Sequence, residues 1–333
     1  MQLAAPRNLV TALASPKLTV AFFVLMAAGA LWTAQADGNA TVATLLPLSL
    51  LVLNLAAAIA TTPRFRTDLP LLAFHLALLA FVALIGAGRL IYFDGATILT
   101  SGTGFEGKLV VDRRGPLHRD GPLPLRFANG GFTEHFPDRG RYHATYNLVR
   151  WRDDAGRDRV AEIGDDRPLV LDGYRIYTTP RRGFSPLFLW EAEGASSYGT
   201  VQLPDNRGFE IGPPVEWRLP DGREASVTLQ LGAQDGEPVR GKRDDLGADD
   251  IAHRLVLRVG GSRTELRPGQ TVELEGGKLT YVRLASWMGY RIVYDPTEPW
   301  LAATVAAAIA TLLWFYARLF RQGRKRALIE GGE

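Results

Sequence analysis

PLSLLVLNLAAAIATTPRFRTDLPLLAFHLALLAFVALIGAGRL, residues 47–90, decides the fold class. Two apolar runs flank one polar turn, TTPRFRTD at 61–68. The first run reaches back to Val42 and ends at Ala60, with Pro47, Ser49 and Asn54 among its interruptions. The second runs from Leu69 to Ile85 and holds one ionisable residue, His75. Each approaches or reaches the ~20 residues that cross a bilayer core. Both therefore read as transmembrane helices.

Outward from this pair, the same pattern occurs twice more. Leu18 to Thr33 is almost wholly apolar, with Trp32 near its far end. It is long, and another apolar run follows almost at once, which argues against a cleaved signal peptide. The fourth run, Trp300 to Phe320, lies near the C-terminus. Between the third and fourth, the chain is rich in charge, Gly and Pro. The mean hydropathy of -0.01 averages over this segregation and hides it. The expected fold class is a membrane protein with four transmembrane α-helices and one large β-rich extracytoplasmic domain between helices three and four.

Lys and Arg set the expected orientation. Arg7 and Lys17 precede the first span, Arg64 and Arg66 lie between the second and third, and Arg318, Arg321, Arg324, Lys325 and Arg326 follow the fourth. The turn Gln35 to Thr41 has no basic residue. With four spans, all three basic segments fall on one side. Both termini are then cytoplasmic. The expected division is a cytoplasmic N-terminus at 1–17, spans at 18–92, an outside domain at 93–298, a last span at 299–320 and a basic tail at 321–333.

The middle of the chain breaks into short runs bounded by turn dipeptides. SVTLQL at 226–231 and HRLVLRVGG at 253–261 are examples, with Asp172-Gly173, Asp221-Gly222, Pro268-Gly269 and Gly276-Gly277 as turns. Alternation in RLVLRV gives one apolar and one charged face, as in a half-buried strand. The expectation is a largely antiparallel domain, sandwich or barrel-like. RGKRDDLGADD at 240–250 reads as a surface loop.

Composition excludes several functions. The chain has 38 Lys and Arg against 35 Asp and Glu, interleaved through the middle, so no basic patch for nucleic acid stands out. It has no Cys, which excludes disulfides, thiol redox chemistry, Cys-ligated zinc and covalent haem attachment to this chain. No nucleophile elbow, HExxH or phosphate-binding glycine loop occurs, and acid pairs such as Asp153-Asp154 sit in turns.

His75 is the foremost candidate. An ionisable group inside an apolar span is costly and marks a functional position by default. Imidazole suits haem iron. His75 lies about six residues, roughly 9 Å, past the cytoplasmic edge near Leu69. Asn54 lies at a similar depth in the antiparallel second span. The expectation is that the two meet at one level, Asn54 orienting the imidazole. The alternative is a neutral His bonded to a helix neighbour, with Asn54 joining helices. His118, His135, His143 and His253 lie outside the spans, and Arg89, Met288 to Tyr290 and Arg291 border them. Those basic groups suit anionic headgroups or haem propionates.

Taken in order, four segments resemble the ResB family of cytochrome c biogenesis. LASPKLTVAFFVLMAAGALWTAQ looks like its first helix. The opening stretch resembles its second helix, basic turn and third helix, including Asn-Leu and Phe-His-Leu. DDRPLVLDGYRIYTTPRRGFSP and WMGYRIVYDPTEPW are similar to its Gly-Tyr-Arg-Ile-Tyr segment and to the Asp-Pro entry of its last helix. The resemblance implies a multi-pass protein of the bacterial cytoplasmic membrane. It implies a subunit that, with a ResC/CcsA-type partner, moves haem b outward and presents it to apocytochrome c. His75 matches the family's helix-three axial haem ligand. The partner's tryptophan-rich motif is absent here, so this chain alone would not complete haem attachment. The alternative expectation is a haem-free scaffold subunit of a larger membrane complex.

Overall fold

The structure, a computed structural model, describes residues 5–35, 41–135, 144–164, 166–204, 212–231 and 252–330. The chain divides into two compact units. One comprises Met1–Phe93, Arg113–Asp120 and Tyr294–Glu333; the other comprises Asp94–Asp112 and Gly121–Val293.

The first unit is helical. It contains α1 (Ala5–Leu13), α2 (Pro16–Gln35), α3 (Thr41–Thr61), α4 (Arg64–Thr67), α5 (Leu69–Ile91) and α6 (Glu298–Glu330). Helices α2, α3, α5 and α6 are long and apolar enough to cross a membrane. Packing pairs are α1 with α3, α2 with α3, α3 with α5, α4 with α5, and α5 with α6. The buried face of α3 carries Leu48, Leu51, Asn54 and Ala57, at the three-residue spacing of one helical stripe.

Helices α5 and α6 run antiparallel, in close approach at one end and joined by an ion pair at the other. At one end a Cβ on Gly88 would stand 2.9 Å from Thr297 Oγ1, so only a residue without a side chain lets the helices approach this closely. Thr297 there donates its N–H and its hydroxyl to Asp295 Oδ1, at 2.9 and 2.6 Å. At the other end Arg318 reaches Asp68 at 3.4 Å. About twenty residues separate the two closures on either helix, or ~30 Å at 1.5 Å per residue, which is the thickness of a bilayer's hydrocarbon core.

The C-terminus of α5 needs partners for its last carbonyls. A distant loop supplies them. Leu117 N donates to Leu90 O at 2.8 Å, Gly115 N to Tyr92 O at 2.9 Å, and His118 Nδ1 bonds Ile91 O at 2.9 Å. Gly115 fits only because it is glycine: an added Cβ would overlap the Leu90 carbonyl and lie 2.9 Å from Arg89 O. Gly115→Val is therefore expected to lose roughly 2–3 kcal/mol through this steric overlap. Thermal unfolding in detergent, with Gly86→Val as the control at an open position, checks it.

The second unit is β-rich. In chain order it contains β1 (Phe93–Thr100), β2 (Val111–Arg114), β3 (Phe127–His135), β4 (Ala144–Arg152) and β5 (Asp158–Ile163). There follow β6 (Leu169–Leu171), β7 (Tyr174–Ala192), β8 (Ala195–Thr200), β9 (Leu203–Pro204) and β10 (Val215–Arg218). Last come β11 (Glu224–Leu231), β12 (His253–Val259), β13 (Ser262–Leu266), β14 (Thr271–Leu274) and β15 (Gly277–Tyr294). The largest sheet runs β2-β1-β15-β7-β6, with β14 beside β15 and β8 and β9 beside β7. Its spine is the antiparallel pair β7 and β15, of 19 and 18 residues. Register shifts at Tyr281/Arg283 and Met288/Tyr290 let strands this long twist without breaking.

Two smaller antiparallel sheets pack on this spine. The sheet β10-β11-β12-β13 covers Phe188, Trp190, Leu279 and Tyr281 with Val227, Leu229, Leu255 and Leu257. Leu229 faces Leu255 and Val227 faces Leu257 across the strands, all 1% exposed or less. Burial of each such side chain stabilises by about 2 kcal/mol. The sheet β3-β4-β5 meets the other end of the spine through a buried polar cluster. Tyr290 Oη donates to Asn147 Oδ1 at 2.6 Å, and Asn147 Nδ2 donates to Asn129 Oδ1 at 2.9 Å and Gly131 O at 2.7 Å. Asn129 Nδ2 donates to Leu99 O at 2.8 Å. Gly130 and Gly131 form the irregularity in β3 that admits these amides.

Candidate functional site

Helix α5 begins at Leu69 after the short α4, with Pro70 in its first turn, where the missing N–H costs nothing. His75 follows one and a half turns later and is half-buried. Its Nδ1 lies 2.8 Å from Leu71 O, one turn back. A carbonyl can only accept, so Nδ1 carries the hydrogen in this bond. In the neutral ring the lone pair is then on Nε2, which has no partner among the described residues. This is how protein histidines are commonly prepared to bind a metal: one nitrogen tied to a carbonyl, the other open.

Two phenylalanines flank the ring. Phe65, buried on α4, meets it edge-on at 4.6 Å between centroids, and Phe74 does so at 5.4 Å. The basic turn thus has a double face. Arg64 and Arg66 are exposed while Phe65 turns inward. Nothing in the sequence singles out Phe65, since it stands between two arginines in a polar turn.

Asn54 is not His75's partner, contrary to the sequence expectation. It is 2% exposed, and its amide serves the junction of α1 and α2. Thr19 Oγ1 donates to Asn54 Oδ1 at 2.6 Å, and Asn54 Nδ2 donates to Leu13 O at 2.5 Å and Ser15 O at 3.2 Å. The break before Pro16 leaves Leu13 O open to the Asn54 amide, while Ser15 O also accepts from Leu18 N and Thr19 N at 3.0 and 3.3 Å. Asn54→Leu leaves both carbonyls and the Thr19 hydroxyl without this partner. It is expected to cost about 2 kcal/mol, read as a lowered unfolding temperature in detergent, with His75→Leu near wild type.

The remaining candidates take structural positions. His118, 8% exposed, stacks on Phe93 at 5.3 Å and meets Tyr294 edge-on at 5.5 Å. His253 Nε2 lies 2.6 Å from Tyr281 Oη in the β core. His143 and the side chain of His135 lie outside the described residues, as does the loop at 240–250. Arg291 pairs in a fork with Asp94 at 2.9 and 3.1 Å, and that hydrogen-bonded partner raises its pKa. Arg89 lies 5.8 Å from the centre of the Tyr92 ring. Trp190 and Trp287 are buried, and Trp217 stacks on Phe188 at 4.8 Å. Asp153 accepts the Arg157 backbone N–H, and the Arg157 and Arg159 guanidiniums at 3.0 and 2.9 Å help hold its carboxyl below the usual range.

No group of three or more His, Cys, Asp or Glu side chains converges among the described residues. A metal held by this chain through His75 would therefore have fewer than three such protein ligands among the described residues. A porphyrin-bound iron, which brings four nitrogens of its own, needs no more than one or two. Neither a known protein-family model nor a curated protein matches the sequence.

Proposed function

We propose that this chain is a haem-handling subunit of a cytochrome c biogenesis complex. Helices α2, α3, α5 and α6 cross the bacterial cytoplasmic membrane, with both termini cytoplasmic and the β-rich unit outside. The cargo is haem b, held non-covalently during transit to apocytochrome c, with a ResC/CcsA-type protein as partner. The chain is not catalytic alone.

One observation carries this reading. His75 Nδ1 is committed to Leu71 O, and Nε2 keeps its lone pair in an apolar, aromatic setting. An axial iron ligand needs that tautomer and that surrounding. The Leu71 carbonyl makes the imidazole a better donor by accepting from its N–H. Phe65 and Phe74 pack against the ring and limit its rotation. Asn54 has no part in the proposed site; it holds α1, α2 and α3 together.

The test is the absorption spectrum of the full chain purified with and without its partner. A b-type spectrum in either preparation, lost in His75→Ala, supports haem handling. Colourless wild-type protein in both overturns it and leaves the scaffold reading, for which the α5–α6 closures and the Asn54 junction suffice.

A further inference from the structure

Helix α6 carries Trp314, Arg318 and Arg321 at i, i+4 and i+7, on one face. With Ala317 and Gln322 they line a recess of about 240 Å³. Ala317 is the small residue that leaves the recess open between the larger side chains. Trp314 is 48% exposed, and its indole N–H has no partner among the described residues. Arg318 leans on Asp68 at 3.4 Å, a loose and half-exposed pair. Arg321 has no anionic partner among the described residues. Among the lining residues and Asp68, two guanidiniums and one carboxylate leave a single positive charge.

We propose that this recess binds the headgroup of one anionic phospholipid. A phosphodiester carries one negative charge, which balances the site. Its oxygens suit the planar forks of two arginines, and the indole N–H can donate to the same group. The level also fits. Arg318 and Asp68 form the polar closure at the Asp68 end of the α5–α6 pair, and Arg321 stands one turn beyond. Trp314 stands one turn inside it, where an indole bridges headgroup and acyl chain. A zwitterionic lipid offers the same phosphate, but its ammonium cancels the charge that the site lacks. The inference rests on the reading that these helices cross a bilayer, and it is independent of haem.

Native mass spectrometry of the full chain in detergent, with equal phosphatidylglycerol and phosphatidylcholine, tests it. Wild type is expected to retain one phosphatidylglycerol in preference. Arg321→Gln, at an exposed position that does not endanger folding, is expected to reduce that preference about five-fold. Arg66→Gln, a basic residue of the exposed turn, leaves it unchanged, and excess inorganic phosphate does not displace the lipid. Equal loss in both variants means diffuse surface charge and overturns the site, as does retention unchanged in Arg321→Gln. Displacement by phosphate would mean that an isolated anion, not a lipid, is the occupant. A chain that stays soluble without detergent overturns the membrane reading itself, which separates the two failures.

Discussion

His75→Ala is expected to strip haem b from the purified chain while leaving its helices folded. The imidazole contributes one bond to its own helix and two edge-on ring contacts, all on a half-buried surface. Its loss therefore costs the bundle little. The proposed iron site loses its ligand outright, and no cluster of His, Cys, Asp or Glu among the described residues stands by to replace it. Removing a mere hydrogen-bond partner of a ligand weakens metal sites by 10–100-fold, so removing the ligand is expected to exceed about 100-fold. The readout is the Soret band per mole of protein. Added imidazole, which can occupy the space between Phe65 and Phe74, is expected to restore part of it. Recovery by imidazole distinguishes a lost ligand from a damaged fold. A spectrum unchanged in His75→Ala would sink the assignment.

The largest stability effect is expected at Asn147. Asn147 is fully buried, and its amide links Tyr290, Asn129 and Gly131. Asn147→Leu keeps the branched shape but leaves a hydroxyl, an amide oxygen and a carbonyl without that partner. At about 1–3 kcal/mol for each orphaned group, the loss is expected to reach roughly 4 kcal/mol, a large share of a domain's stability. Tyr290→Phe removes only one donor and is expected to cost about 1–2 kcal/mol. The double variant is expected to be less damaging than the sum, because the two residues share a bond. Burial raises the Tyr290 hydroxyl well above the ordinary tyrosine range. The folded state thus favours the protonated form. Its contribution is complete below about pH 10, the unfolded value, and declines as pH rises beyond it. Alkaline unfolding curves are expected to flatten in Tyr290→Phe. Additive losses in the double variant would mean that the network is not cooperative.

The long helices were legible because spanning length is a property of composition along one dimension. Asp172-Gly173 was legible for a similar reason: both residues take positive φ, 49° and 80°, as the two-residue turn from β6 to β7 requires. The meeting of Asn54 and His75 was misjudged because depth along a helix does not fix the direction a residue faces. Asn54 shares a stripe with Leu48, Leu51 and Ala57, and that stripe holds its amide against α1 and α2. Helix α1 escaped notice because nine residues form no stable helix alone. It is held by packing on α3, which no local pattern announces. The full length of β7 was hidden by Pro180, Gly183 and Pro186, residues that ordinarily interrupt a strand. Gly289 on β15 sits at a register shift, with a would-be Cβ against Thr179 Oγ1. The alternative reading, a His bonded to its own helix and an Asn joining helices, matches the bonds His75 and Asn54 make.

If the α5–α6 pair spans a bilayer as proposed, its two closures also have a consequence for the lipid around it. Their separation is set by the rise of two hydrogen-bonded helices, so it changes little. In a bilayer of longer acyl chains, the Asp68–Arg318 contact or the Gly88–Thr297 contact would be drawn into hydrocarbon unless lipid thins around the pair. Hydrophobic mismatch of this kind costs fractions of a kcal/mol per Å. On that reading, a helix pair of fixed length passes the cost to the membrane and so sets the acyl-chain length the protein tolerates best.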